Sequence, residues 1–225
     1  MLNKIDQLKI IGADETGVGD YFTPLVACAV YLKPENYAKV QALNLRDSKT
    51  LTETRILELA QQLTEIVVFE TTIFKQQLYN KLEKKYNANE IKMLIHLKNI
   101  NTLEKKHVVD FIIIDQFSTE KSINKYYQRI IGESQKNFLP LQAKLILETK
   151  AENTYLAVAA AAIIARATLL EYMKKQNKKW NINFPLGASS IVDDFGKEFV
   201  KIHGKEKLVE VAKISFKTTE KILNN

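Results

Sequence analysis

The sequence is poor in the residues that build disulfide frameworks, flexible linkers and zinc sites. Its 225 residues include one cysteine, seven glycines, four prolines and three histidines. The single thiol, Cys28, cannot form a disulfide within the chain, and because it lies in an apolar run we interpret it as a core residue. We find no internal repeat, low-complexity segment or Gly/Ser-rich linker, so we predict a single α/β domain over 1–225.

Targeting and membrane signals are also lacking. The first residues have no apolar core of the kind found in signal peptides, and we find no apolar run long enough to span a bilayer. Hydrophobic residues make up 46% and charged residues 26%, which is typical of soluble globular proteins. We therefore expect a cytoplasmic protein without membrane contact. The net charge of +7 favours an anionic partner, of which nucleic acid is the commonest.

Apolar runs of strand length alternate with helical patterns along the chain. Strands are predicted at 8–11, 25–32, 65–74, 111–114 and 143–150. Helices are predicted at 34–43, after a capping Thr52, twice within 75–106, at 118–131, in an apolar stretch from 156, and in two amphipathic segments at 191–203 and 205–223. The segment 75–106 carries eight lysines, which form either a solvated face or a track for nucleic acid.

Four carboxylates occur where these predicted elements end or begin. Asp14 and Glu15 follow the first strand, Asp115 ends the strand at 111–114, and Glu152 lies in the first turn of the apolar helix. In an α/β sheet such positions converge on one edge, where sites form. On its own, however, the Asp14–Glu15 pair fits a solvent-facing hairpin equally well. Plain strand-end and helix-cap roles are the alternative for all four acids.

Carboxylates that gather at one edge repel each other unless a cation neutralises them. Oxygen ligands favour Mg²⁺ or Mn²⁺ over zinc. The histidines His96, His107 and His203 have no ligand spacing, so we interpret them as structural or surface residues. Two divalent ions could clamp a phosphodiester, one activating water and the other stabilising the leaving oxygen, and a lone Mg²⁺ site is the alternative.

Five segments of the chain, in the same order, resemble the type 2 ribonucleases H, and among these ribonuclease HIII most. The segments are 12–24, 46–49, 114–117, 149–166 and 185–189. The resemblance implies an RNase H-like α/β fold, a mixed five-stranded sheet flanked by helices, with a helical tail over residues 190–225. It also implies an endonuclease that hydrolyses the RNA strand of an RNA–DNA hybrid by a two-metal-ion mechanism, leaving 5′-phosphate and 3′-hydroxyl ends.

The same resemblance implies roles for individual residues. The catalytic acids of the family, which bind Mg²⁺ or Mn²⁺, fall on Asp14, Glu15, Asp115 and Glu152. A glutamate at the fourth of these positions is typical of ribonuclease HIII.

Substrate-binding residues are implied as well. The backbone groups expected to approach the ribose 2′-hydroxyls belong to Thr16, Gly17, Val18 and Gly19. Glycine allows that approach because it has no Cβ. By analogy, Ser48 and Lys49 are predicted to contact phosphate.

Departures from the family pattern leave other functions open. Val18 stands where ribonuclease HII has arginine, which makes HII-like cleavage at single ribonucleotides in DNA our second choice. A non-catalytic nucleic-acid-binding module is the alternative from another class. Thr23 stands where the family usually has glycine, which could alter how the second strand begins.

Ribonuclease HIII enzymes commonly carry an additional amino-terminal substrate-binding domain. The present sequence starts just before its first predicted strand, which fits either a naturally short member or a catalytic fragment, and we then expect the lysine-rich segment 75–106 and the helical tail to supply affinity for the hybrid. The pattern reveals no obligate protein partner, and we expect a monomer.

Overall fold

A five-stranded sheet forms the centre of the computed structural model, which describes residues 8–45, 51–133 and 138–224. The strands are β1 (Ile10–Thr16), β2 (Leu25–Leu32), β3 (Val68–Phe74), β4 (Phe111–Asp115) and β5 (Lys144–Glu148). They lie in the order β3-β2-β1-β4-β5. β2 pairs antiparallel with β1 and β3, whereas β4 pairs parallel with β1 and β5. The predicted mixed sheet is confirmed.

Helices cover both faces of this sheet. In the described residues they are α1 (Tyr37–Ala42), α2 (Glu53–Ile66), α3 (Gln76–Leu82), α4 (Ala88–Glu104), α5 (Glu120–Glu133), α6 (Leu156–Trp180), α7 (Ser190–His203), α8 (Leu208–Val211) and α9 (Lys217–Leu223). α2 and α6 pack on the side of β2 that carries Cys28 and Val30, and α4 packs on the side that carries Ala27 and Ala29. β2 is therefore buried along its whole length, as its continuous apolar sequence requires.

Side-chain caps explain where two of these helices begin. Oγ1 of Thr52 accepts a hydrogen bond from the backbone N–H of Arg55 at 3.3 Å, so α2 starts at the predicted cap. At the start of α4, Asn87 and Glu90 form a reciprocal capping box. The predicted pair of helices within 75–106 corresponds to α3 and α4.

α6 packs directly on β1 because residue 12 is glycine. A Cβ on Gly12 would lie 2.3 Å from the backbone nitrogen of Val158, so any side chain there would push the helix away from the strand. Contrary to the expectation from sequence, α6 is long and apolar enough to cross a membrane. However, 61% of its most apolar window is buried inside the protein, as in the core helix of a globular domain.

The end of the chain differs from the single amphipathic segment predicted at 205–223. A short 3-10 turn, α8 and α9 replace it, and the backbone at 212–216 is irregular. Asn80 of α3 holds this break, because its Nδ2 donates to the carbonyl of Ala212 at 2.9 Å and its Oδ1 accepts from the N–H of Ile214 at 3.1 Å. The break turns the backbone after α8 into the core.

Candidate active site

Asp14 and Asp115 lie at the carboxyl ends of two neighbouring parallel strands. β1 continues through Thr16, so Asp14 belongs to the strand and not to the turn after it. The parallel register pairs Ala13 with Ile114, and each acid is the next residue along its strand. The structure therefore brings these two predicted site residues together.

Glu152 reaches the same edge through a turn between β5 and α6. Oδ1 of Asp115 accepts a hydrogen bond from the backbone N–H of Ala151 at 3.0 Å. Ala151 opens the 3-10 turn Ala151–Asn153, which contains Glu152. Glu152 thus precedes α6 in a separate turn, whereas the sequence predicted it in the first turn of that helix.

The pKa of Asp14 reports the electrostatic interaction among these acids. Burial raises it well above its usual range, and the charges of Glu15, Asp115 and Glu152 raise it further. The backbone N–H of Glu15 donates to Oδ1 of Asp14 at 2.7 Å, and this hydrogen bond offsets only part of the rise in pKa. A positive ion near Asp14 would relieve this repulsion.

Glu15 faces the opposite side of the sheet, as alternation along a strand requires. Its Oε2 lies 2.8 Å from Nε2 of His96, and its Oε1 lies 3.7 Å from Nζ of Lys92. Because an ionised carboxylate can only accept hydrogen bonds, Nε2 carries the proton. Burial alone would raise the pKa of Glu15, but the hydrogen bond from His96 and the charges of His96 and Lys92 bring it below its usual value.

The structure changes the interpretation of both partners of Glu15. His96, expected as a structural or surface residue, is fully buried and belongs to the candidate site. Lys92, expected on a basic outer face of 75–106, is also buried, while the other seven lysines of that segment are exposed. Lys92 further lies 4.4 Å from the ring centroid of Phe117, two residues after Asp115. His96 and Lys92 differ from their neighbours on α4 in their contacts with Glu15 of β1, which the sequence alone does not reveal.

The donor chemistry of the four acids fits Mg²⁺ or Mn²⁺, since all of their ligand atoms are carboxylate oxygens. Asp14, Asp115 and Glu152 are electrostatic neighbours, whereas Glu15 is engaged by His96 and Lys92. Within the described ranges, no three acidic, histidine or cysteine side chains are arranged to hold a metal ion as they stand. The metal-binding role of the four acids stays a prediction.

A glycine turn follows β1 next to the acids. Gly17 is buried with φ of 82°, and a Cβ there would lie 2.2 Å from the carbonyl oxygen of Pro24. Val18 is half-buried and Gly19 is exposed, so the turn rises from the interior towards the surface. Thr16 is half-buried at the end of β1. Ser48 and Lys49, the predicted phosphate contacts, lie outside the described residues.

Two residues that the site prediction omitted support the carbonyl of Gly17. Oγ1 of the buried Thr23 donates to this carbonyl at 3.3 Å, which gives the threonine a role at the position where we expected only a change in strand entry. Nζ of Lys213 donates to the same oxygen. Lys213 had no signal in the sequence, because its segment was predicted as a regular amphipathic helix.

The loop 185–189, one of the five resembling segments, contacts the turn from another direction. Oδ1 of Asp20 accepts from the backbone N–H of Gly187 at 2.7 Å, and the N–H of Tyr21 donates to the Gly187 carbonyl at 2.9 Å. Sequence segments that are far apart thus meet around one turn.

The chain is similar to known proteins over almost its whole length. A family model for ribonuclease HII matches residues 11–219. A ribonuclease HIII of Staphylococcus aureus is 36% identical over 220 residues, which are 96% of this chain and 68% of that protein. A ribonuclease HIII of Enterococcus faecalis is 34% identical over 215 residues, 94% of this chain and 68% of the relative. The crystal structure of Bst-RNase HIII in complex with Mn²⁺ matches with a TM-score of 0.89 and 30% identity over 98% of this chain and 71% of its own.

Proposed function

The chain belongs to the type 2 ribonuclease H family, and from this premise we propose that it hydrolyses the RNA strand of RNA–DNA hybrids as a metal-dependent endonuclease. The observation that carries the proposal is the meeting of Asp14 and Asp115, at the ends of neighbouring parallel strands, with Glu152 from the turn before α6, beside a glycine turn. The products would carry 5′-phosphate and 3′-hydroxyl ends.

The four carboxylates would hold Mg²⁺ or Mn²⁺, and a solved relative that binds Mn²⁺ supports this assignment. Bound there, a pair of ions would activate water and stabilise the leaving oxygen of the phosphodiester. The protein itself contributes a set of oxygen ligands on rigid strand ends. It also restrains Glu15 through the hydrogen bond with His96 and the charge of Lys92.

We assign the recognition of RNA to the turn formed by Thr16, Gly17, Val18 and Gly19. The 2′-hydroxyl is the group that distinguishes an RNA strand from DNA, and it both donates and accepts hydrogen bonds. Exposure increases from the buried Gly17 to the exposed Gly19, which places the end of the turn at the surface, where a ribose can approach. The net charge of +7 supports approach to a polyanionic duplex.

The proposal is tested with labelled duplexes of one sequence in Mg²⁺ or Mn²⁺: a continuous RNA–DNA hybrid, DNA with a single ribonucleotide, and DNA alone. We expect cleavage of the hybrid, weak cleavage at the single ribonucleotide and none of DNA. Asp14→Asn should abolish hybrid cleavage, whereas Asp194→Asn, a change at an exposed acid of α7, should not. Lack of cleavage of the hybrid by the unmodified protein would refute the proposal.

We also propose that the protein acts as a monomer in the cytoplasm. The burial of the single free thiol, Cys28, is compatible with a reducing compartment. Size-exclusion chromatography with light scattering tests the monomer, and a dimer mass at micromolar concentration would contradict it. Fractionation of cells tests the location.

A further inference from the structure

Lys213 is a charged residue inside the hydrophobic interior, and the proposed chemistry does not use it. Its side chain is among the largest that are fully buried. Nζ lies 5.5 Å from the ring centroid of Tyr79 and 5.2 Å from that of Phe216. Among the described residues, no carboxylate is within ion-pair distance of it. Burial of an ammonium group without a close counter-ion is unfavourable, so the position of Lys213 requires an explanation.

The hydrogen-bond partner of Lys213 supplies that explanation. Nζ donates to the carbonyl of Gly17, although 196 residues separate them along the chain. The hydroxyl of Thr23 donates to the same oxygen. Two donors from different parts of the chain therefore point the Gly17 carbonyl into the protein.

The geometry of the peptide bond transmits this constraint to the surface. In a trans peptide the C=O of one residue and the N–H of the next point in opposite directions. With the Gly17 carbonyl held inward, the N–H of Val18 is directed outward, where Val18 is half-buried and Gly19 is exposed. A cation on the carbonyl also polarises the peptide and makes its N–H a stronger hydrogen-bond donor.

The backbone of Lys213 is fixed as firmly as its side chain. Its N–H donates to the carbonyl of Tyr21 at 3.0 Å. Gln76 of α3 bridges the same region, since its Nε2 donates to the carbonyls of Phe22 at 2.7 Å and Val211 at 3.2 Å. The irregular segment 212–216 is thus attached to the residues that follow the glycine turn.

We propose that Lys213, assisted by Thr23, is a positioning residue for RNA recognition, which orients and polarises the Gly17–Val18 peptide so that the Val18 amide donates to a ribose 2′-hydroxyl. The inference rests on the proposed function, because it assumes that the turn meets the RNA strand. Lys213 itself does not touch substrate. Its removal should therefore reduce the preference for RNA more than the affinity for nucleic acid in general.

The ammonium form that this role uses is available at neutral pH. Burial lowers the pKa of Lys213 to about 8, while the charges of Asp20 from the turn and Glu83 from the end of α3 act in the opposite direction. Tyr79 of α3 and Phe216 of its own segment are the other groups that face it. At pH 7, below this pKa, Lys213 is consequently mostly protonated.

The test measures dissociation constants by fluorescence anisotropy for a labelled RNA–DNA hybrid and for the DNA duplex of the same sequence. Ca²⁺ replaces the catalytic metal so that the hybrid stays uncut. Lys213→Met keeps the length of the side chain and removes the donor, and we expect it to reduce the preference for hybrid about tenfold with little change for DNA. Lys213→Arg, which retains a charged donor, should restore most of the preference. Lys39→Met removes an exposed charge of α1, outside the segments expected to bind the hybrid, and should leave the preference unchanged.

The outcomes separate this inference from the proposed function. If the unmodified protein does not prefer hybrid over DNA, the proposed function fails. If it does, and a folded Lys213→Met retains the full preference or weakens both duplexes equally, the positioning role is refuted. If Lys213→Met does not fold, Thr23→Val decides, because it removes the second donor to the Gly17 carbonyl. Thr23→Val should reduce the preference about threefold, and an unchanged preference would refute the inference.

Discussion

Nε2 of His96 lies 2.8 Å from Oε2 of Glu15, across 81 residues of sequence, and both side chains are buried. This contact ties α4 to the end of β1. It also holds one of the four acids on the side of the sheet opposite Asp14. His96 thus stabilises the end of β1 and belongs to the candidate site, although it is not one of the four acids.

Removing His96 should destabilise the fold. His96→Ala leaves the buried carboxylate of Glu15 without its closest donor, and we expect a loss of about 3 kcal/mol in the free energy of unfolding, measured by urea denaturation. The double variant His96→Ala with Glu15→Gln should lose less than the sum of the two single changes, because the charge is then gone. Additive losses would contradict the coupling.

Asp14→Asn should stabilise the metal-free protein. The pKa of Asp14 is raised in the folded state, so at pH 7 its ionised form disfavours folding, and an uncharged amide removes that penalty. We expect the melting temperature in EDTA to rise by about 3 °C or more. Asp194→Asn, at an exposed position, serves as the matched control and should leave it unchanged. A lower melting temperature for Asp14→Asn would show that the repulsion among the acids is already relieved.

Two glycine substitutions should have opposite effects. Gly12→Ala places a Cβ 2.3 Å from the backbone of Val158, so α6 must move from β1, and we expect a loss of more than about 2 kcal/mol in unfolding free energy. Gly132→Ala lies in α5, where a Cβ meets nothing within 4 Å, and it should be neutral or stabilising by about 0.5 kcal/mol. Urea denaturation measures both. Equal effects of the two substitutions would mean that α6 can approach β1 without a glycine at position 12.

Because the buried Lys213 loses its charge, the protein should become more stable as the pH rises above neutrality. Its pKa is lowered from 10.5 to about 8, so between these values the unfolded chain binds more protons than the folded one. The free energy of unfolding then increases with pH across this window, and below pH 8 the penalty of the buried charge is fully present. Urea denaturation at intervals from pH 7 to 10 should show this rise in the unmodified protein and not in Lys213→Met. The same rise in the variant would assign it to other groups.

Much of the sheet and of the acidic site was predictable because the relevant signals are local. Apolar runs ended at Asp115 and shortly before Asp14, and parallel strand ends converge on one edge. The assignment of Glu152 relied on the same logic and missed only the separate 3-10 turn. The positions of strands and of the acids at their ends can therefore be recognised from local composition and periodicity.

Lys92, His96 and Lys213 could not be assigned to the site in this way. Lysines on a predicted helix are usually solvated, and the burial of Lys92 follows from a carboxylate 77 residues away. Lys213 enters the core only because the chain breaks at 212–216, where Asn80 holds the backbone. Such residues are defined by tertiary contacts that leave no periodic trace in the sequence.

The central claim is that Asp14, Asp115 and Glu152 act as one carboxylate set in the cleavage of RNA–DNA hybrids. It is tested most directly by initial rates of hybrid cleavage in Mn²⁺ for the unmodified protein, Asp14→Asn, Asp115→Asn and the double variant. We predict that each single change reduces the rate by at least about a thousandfold and that the double variant is no worse than either, because residues that act as a unit are not additive. A folded single variant that cleaves the hybrid as fast as the unmodified protein would contradict the claim.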